Sequence, residues 1–220
     1  MNVFLIAAYV VAPFLLLRLH RFWGVPLAVL SLWIPVEAGL LARLGLSPTI
    51  VVLLAVSAGL LAFYSRPDVL DVPKAFDLSS IDVKSGVIHF LAFAVIAIPL
   101  GLILNFIHLN FDAAEVWGVP ATVGVIFLFN ALPEEILFRG LIQNWIEKQS
   151  ASRSGSLLLS SLIFGASHLN NGAPLPNYRY MVMASIAGVF YGLAWRSRKN
   201  VLTSSITHTL VNTGWNLFFR

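Results

Sequence analysis

FNALPEEILFRG, residues 129–140, sets two adjacent carboxylates and an arginine inside a chain that is otherwise close to hydrocarbon. Of the 220 residues, 58% are hydrophobic and only 11% are charged, and the mean hydropathy is +0.84. A soluble domain carries about 25% charged residues. This is the composition of a polytopic membrane protein, in which ionisable groups at bilayer depth are costly and usually functional. What Glu134, Glu135 and Arg139 do there decides what the surrounding helices are for.

Outward from this stretch, the chain breaks into runs free of Asp, Glu, Lys and Arg: 1–17, 22–36, 44–65, 85–111, 116–133, 154–178, 180–195 and 200–219. The second continues past Glu37 to Ala42. A spanning helix needs about 20 mostly apolar residues. The expected fold is therefore all-α, with about eight transmembrane helices around a polar cavity open to the cytoplasmic side. Residues 1–220 read as one transmembrane domain, with helices 1–4 in 1–114 and helices 5–8 in 115–216.

The loop charges agree with this count. With the N-terminus outside, eleven of the 14 Lys and Arg residues fall on inside loops, and only Arg43, Arg179 and Arg220 fall outside. That is the bias the positive-inside rule expects, and it places both termini on the non-cytoplasmic side. It also accounts for the net charge of +4 without nucleic acid. No cysteine is present, so thiolate chemistry is excluded. A cleaved signal is not expected, because Arg18, His20 and Arg21 follow the first apolar run rather than precede it. The longest polar connection, Arg66–Lys84, reads as a solvated linker, and Asn170–Asn177, with Gly172, Pro174 and Pro176, as a turn.

Within the opening stretch, Pro133 predicts a kink or a helix restart, with helix from Glu134 to Lys148. Glu135 and Arg139 are four residues apart and share a face, so they can pair. Glu134 is rotated about 100° away and has Leu137 and Leu141 as its neighbours. It is the freer carboxylate and the candidate general base. A structural ion-pair cluster stapling helices is the alternative reading of the same residues.

Two histidines extend the pattern. SSLIFGASH ends at His168 in the sixth helix, with Ser161, Phe164 and Gly165 on the same face. SSITHTLVNTGWN, in the eighth, places His208 and Asn212 four residues apart on a stripe with Ser204, Ser205 and Asn216. Helical rise puts His168 about 20 Å and His208 about 12 Å from the inner ends of their helices, and Glu134 about 15–20 Å from its own. A carboxylate with a histidine can hold and deprotonate a water, while a second histidine and an amide can donate to an oxyanion. A zinc site of Glu134, His168 and His208 is the competing arrangement. No H-E-x-x-H and no G-x-S-x-G motif is present.

Glu134-Glu135-x-x-x-Arg139, Phe164-x-x-x-His168 and His208-x-x-x-Asn212, in this order, resemble the CAAX prenyl protease and bacteriocin-processing (CPBP) family of intramembrane glutamic endopeptidases. GVFYGLAWRSRKNVLTSSITHTLVN resembles that family's helix–basic loop–helix segment. The likeness covers roughly residues 115–216. It implies about eight helices around a conical cavity, water activation by Glu134 with His168, and an oxyanion hole of His208 and Asn212. Glu135 and Arg139 match further motif positions, and helical spacing gives them a supporting role.

The expected activity is hydrolysis of a peptide bond in a membrane-associated protein or peptide, in a prokaryotic plasma membrane, without a resident cofactor. The expected partners are that substrate and the lipid bilayer. Prenylated tails, bacteriocin leaders and C-terminal sorting anchors are all conceivable substrates. The alternatives are a non-catalytic peptide-binding membrane protein of immunity or scaffold type, and a proton-coupled transporter; against the latter, no matched pair of interrupted helices is visible. Elsewhere, Ala184, Gly188 and Gly192 read as a close-packing stripe. Tyr191 reads as a packing residue, Glu37 as an interfacial or paired acid, and His89 and His108 as interfacial. Trp23 and Trp117 read as belt residues.

Overall fold

The computed structural model describes residues 3–19, 22–69, 78–110 and 118–219. The readings made for His20, Arg21, Asp71, Lys74, Asp77, Trp117 and Arg220 lie outside the described residues. Nine helices follow one another among those described: α1 (Val3–Leu19), α2 (Gly24–Glu37), α3 (Leu40–Arg43), α4 (Pro48–Tyr64), α5 (Ser80–Ile103), α6 (Val119–Gln149), α7 (Arg153–Ala166), α8 (Tyr178–Arg198) and α9 (Val201–Phe218). The only extended pairing described is an isolated bridge between Leu109 and Phe219.

The fold is all-helical, as its apolar runs predict. Among the described residues two helices pass a test of length and hydropathy for crossing a bilayer, so the expected count of eight is not confirmed. Ser80–Ile103 and Val119–Gln149 are long and apolar enough to cross a bilayer. Helices α1, α2 and α4 are apolar but shorter. The expected sixth span, 154–178, becomes the 14-residue α7 followed by turns. At 1.5 Å per residue α7 reaches about 21 Å, short of a hydrocarbon core of about 30 Å. The second run also breaks early: Gly39, at φ +64°, takes the left-handed conformation that ends a helix cheaply, and α3 restarts beyond it. Glu37 is exposed at the end of α2.

The chain divides into two compact units, Met1–Val72 with Gly140–Trp145, and Pro73–Arg139 with Ile146–Arg220. In the first, the Tyr9 hydroxyl donates to the Leu32 carbonyl at 2.9 Å, joining α1 to α2. Arg66, ion-paired with Asp68, also donates to the Leu17 carbonyl at 3.1 Å and ties the end of α4 to the end of α1.

The second unit holds all the motifs. Its α7 and α8 meet through small residues. A Cβ at Gly165 would fall 1.9 Å from Ser185 Oγ and 2.5 Å from the Met181 carbonyl oxygen, and one at Gly188 would fall 3.1 Å from Ser161 Cα. Without side chains at those positions, the backbones approach closely. Helix α5 packs on α9 in the same way, with Gly86 against Ile206 and the Thr207 hydroxyl donating to the Gly86 carbonyl at 3.0 Å.

Polar contacts gather at two ends of this unit. At one, Asp82 caps α5 through Ser79 and accepts from Arg198 Nε (3.1 Å) and the Thr203 hydroxyl (2.9 Å). There too Glu147 pairs with Arg196 and Lys199, and Arg196 donates to the Arg153 carbonyl. Segment Arg66–Lys84 is thus not wholly a linker: Ser80–Lys84 is helical and Asp82 is 3% exposed. At the other end, Arg179 donates to the Asn105 carbonyl at 3.4 Å and the Asn110 amide to the Phe218 carbonyl at 2.9 Å. The loops that the charge count assigns to one side of the membrane are therefore neighbours in this unit.

Candidate active site

Helix α6 carries the carboxylates and stays helical through Pro133. It does so by widening: Phe127–Ala131 and Ile136–Gln143 are π-helical on either side of the α-helical turn Leu132–Glu135. A proline nitrogen donates nothing, and its ring crowds the carbonyl four residues back. A π turn moves the hydrogen bonding to five residues and relieves that conflict. The α-helical turn between the two wide segments begins at Leu132, with Pro133 in its first turn.

Glu135 and Arg139 are buried and paired, Arg139 donating through NH1 to Glu135 Oε1 at 3.1 Å. The NH2 group of Arg139 donates to the Gly188 carbonyl at 2.9 Å, so the guanidinium also joins α6 to α8. It lies over the rings of Phe164 and Tyr191, at 4.6 and 5.2 Å. Glu135 Oε1 takes a second hydrogen bond from His208 Nδ1 at 2.9 Å. A carboxylate only accepts, so Nδ1 of His208 carries the proton and Nε2 points onward.

Nε2 of His208 points to Glu134, with Oε2 4.0 Å away. That is beyond hydrogen-bond length. Oε2 is buried with no hydrogen-bond partner, although the Glu134 side chain as a whole is 29% exposed. The other oxygen, Oε1, accepts from Asn130 Nδ2 at 2.7 Å. Asn130 in turn accepts from Asn212 Nδ2 at 2.6 Å. Glu134 and Asn212 are thus joined through a residue that sequence reading passed over. Its signal was there, because Asn130 stands four residues before Glu134, one helical turn away.

His168 is not in a helix. It follows the last turn of α7, with its amide donating to the Gly165 carbonyl at 3.0 Å. The helix ends two residues before His168 rather than containing it, and the residue still lies about 20 Å along from the start of α7, as expected. Nδ1 of His168 lies 2.9 Å from the Phe164 carbonyl, an acceptor, so it carries the proton and Nε2 keeps its lone pair. No hydrogen bond or ion pair between His168 and Glu134 is drawn among the described residues. The two histidines instead flank one ring: Phe164 is 4.8 Å from His168 and 5.9 Å from His208. Tyr180 contacts the His168 ring at 5.0 Å and lies within electrostatic range of Glu134.

Tyr191, read from sequence as packing, stacks on His208 at 4.4 Å with the planes 17° apart. It is part of the site's wall. No group of three His, Cys, Asp or Glu side chains able to hold a metal ion occurs among the described residues. His89 and His108 stand apart from the site: His89 lies against the Ser85 carbonyl on α5 and His108 is exposed beyond that helix.

The assembled groups comprise two carboxylates, Glu134 and Glu135, each with one buried oxygen that lacks a hydrogen-bond partner, an imidazole with a free lone pair, and an imidazole held by a buried ion pair. An amide linked to Glu134 completes the set. No curated protein and no solved structure matches the chain. Residues 115–214 match the family model for type II CAAX prenyl endopeptidase Rce1-like proteins, a stretch that contains every residue of this site.

Proposed function

We propose that this protein is an intramembrane endopeptidase that cleaves a peptide bond of a membrane-associated protein or peptide with an activated water. The observation that carries the reading is the unpartnered Oε2 of Glu134, 4.0 Å from His208 Nε2 and one asparagine removed from Asn212. An isolated structural ion pair explains Glu135 and Arg139. It does not explain Glu134, a second and partly exposed carboxylate with one oxygen held by Asn130 and the other without a bond, whereas the unpartnered oxygen of Glu135 belongs to a fully buried side chain.

In the proposed reaction Glu134 takes a proton from water while Nε2 of His168 accepts the water's other hydrogen and orients it. The hydroxide attacks the carbonyl carbon. His208 Nε2–H and the second N–H of Asn212 donate to the oxyanion. For this His208 carries protons on both nitrogens, a charge balanced by the adjacent carboxylates. Collapse breaks the C–N bond, and the proton held by Glu134 passes to the departing amine. Glu135 and Arg139 act at one remove, holding the ring of His208.

The test is cleavage of a membrane-anchored reporter peptide by purified protein in detergent or liposomes. Glu134→Gln and His168→Ala are expected to lose cleavage while melting as the wild type does. Full cleavage by Glu134→Gln sinks the mechanism. Saturable binding of intact peptide by the wild type, with no cleavage, would instead favour a peptide-binding scaffold. Assay with a strong chelator addresses zinc: undiminished cleavage agrees with a glutamate-activated water, and its loss supports the metal arrangement.

A further inference from the structure

The geometry points to Asn130 as a positioning residue that sets the orientation of both Glu134 and Asn212, an inference that rests on the endopeptidase reading and deepens it. Asn130 sits on the π-helical segment Phe127–Ala131 of α6, half-buried. Each end of its carboxamide is engaged: Nδ2 donates to Glu134 Oε1 at 2.7 Å, and Oδ1 accepts from Asn212 Nδ2 at 2.6 Å.

This chain of bonds has one allowed direction. A carboxylate offers only acceptors, so Asn130 must turn its NH₂ group towards Glu134. Its oxygen then faces Asn212, which must turn its own NH₂ group back. Reversing Asn130 would set its oxygen against the carboxylate and its NH₂ against that of Asn212, losing both bonds. Glu134 thereby fixes which way Asn212 points, through Asn130. One N–H of Asn212 is used in this lock. The other remains available as a donor. The same bond occupies Oε1 of Glu134 and leaves Oε2 as the oxygen for the water. The π turn makes this possible by setting Asn130 and Glu134, on one helix, where they share a hydrogen bond and still reach α9.

Without Asn130 both side chains would still be present. Asn212 would lose its preferred orientation, and its carbonyl oxygen would face a developing oxyanion part of the time. The loss therefore falls on turnover rather than on substrate binding. Asn130→Ala is expected to lower kcat by roughly 10- to 100-fold, somewhat less than deletion of an oxyanion donor outright, with KM changed by less than about twofold. Because Asn130 acts partly through Asn212, adding Asn130→Ala to Asn212→Ala is expected to cost much less than it costs the wild type. Asn130→Asp keeps the shape and the acceptor but loses the donor to Glu134. Protonated, the introduced carboxyl again donates to Glu134 and accepts from Asn212, so this variant is expected to recover towards wild-type turnover in acid, relative to neutral pH.

The experiment measures kcat, KM and melting temperature for wild type, Asn130→Ala, Asn130→Asp, Asn212→Ala, the Asn130→Ala/Asn212→Ala double variant and Glu134→Gln on one reporter peptide. A fall in kcat alone, non-additive with Asn212→Ala, supports the inference. Wild-type kcat in Asn130→Ala beside an inactive Glu134→Gln overturns it and leaves the endopeptidase reading standing. Wild-type turnover by Glu134→Gln overturns that reading itself. If Asn130→Ala melts early, Asn130→Asp decides: a pH profile parallel to that of the wild type overturns the inference.

Discussion

Nδ1 of His208 lies 2.9 Å from Oε1 of Glu135, the same oxygen that Arg139 reaches at 3.1 Å. One buried carboxylate oxygen thus fixes two side chains from different elements, and the rotation of His208 follows from the burial of Arg139. A pair of this kind adds little over well-packed apolar residues, but breaking it by removing one partner leaves an uncompensated buried charge, at about 3–5 kcal/mol.

Arg139→Ala is accordingly expected to destabilise the protein by about that amount. Arg139→Lys is expected to recover little, because a single ammonium cannot serve both Glu135 and the Gly188 carbonyl as the planar guanidinium does. Thermal unfolding in detergent measures both. An Arg139→Lys variant melting with the wild type would show that the geometry of the fork is unimportant.

Asp82 and Arg198 give a contrast within a single ion pair. The Arg198 side chain is 39% exposed, and the Asp82 side chain 4%. A pair with one exposed partner is worth about 0–1 kcal/mol, so Arg198→Ala should cost no more than that. Asp82→Ala also removes the carboxylate half of the α5 capping box, which accepts from Ser79, and the acceptor of the buried Thr203 hydroxyl. Its expected cost is about 2–4 kcal/mol, the lost capping-box bond and the orphaned hydroxyl together. Equal melting temperatures for the two variants would refute this ordering.

Gly165 is the tightest point between α7 and α8. A Cβ there would lie 1.9 Å from Ser185 Oγ, which a rotamer change relieves, and 2.5 Å from the Met181 carbonyl oxygen, which belongs to the backbone. Gly165→Ala must therefore separate the two helices, and it does so three residues from His168. We expect a loss of more than about 2 kcal/mol, in the range for overpacking, together with reduced cleavage. Ser185→Ala in the same chain should not restore either, since the carbonyl contact persists. Rescue by that second change would place the clash on the side chain alone.

Much of this was legible in the sequence, and for identifiable reasons. Helix-wide apolarity gave the all-helical class, and i,i+4 spacing gave the Glu135–Arg139 pair, because both depend on a period that local sequence fixes. The turn at 170–177 was legible from Gly172, Pro174 and Pro176, but the end of α7 at Ala166 was not, because no proline or charge lies between it and His168. Nor was the path of α6 past Pro133, since π-helical turns have no period of their own to read. Asn130 was passed over and Tyr191 was read as packing because their contacts are with Asn212 and His208, more than 15 residues away in the chain, and only tertiary structure joins them.

Which side of the membrane the polar ends of the second unit face is directly measurable, because the chain has no cysteine and single introduced thiols are unambiguous probes. Ser80 and Ser150 are exposed near the Asp82 and Glu147 ion pairs, and Asn110 is exposed beyond the far end of α5. Helix α5 has 24 residues, or about 36 Å of rise, enough to cross a hydrocarbon core of about 30 Å. Ser80→Cys and Ser150→Cys should react with a membrane-impermeant thiol reagent from the same side, and Asn110→Cys from the opposite one. By the basic-residue bias the shared side is expected to be the cytoplasm. Asn171→Cys is the most informative position, since it follows an α7 too short to span alone. Arg179, at the start of α8, bonds to Asn105 at the end of α5, so Asn171→Cys should label with Asn110→Cys. Labelling together with Ser150→Cys would mean that α7 enters the membrane and returns, and that His168 is reached from the cytoplasmic side without a crossing.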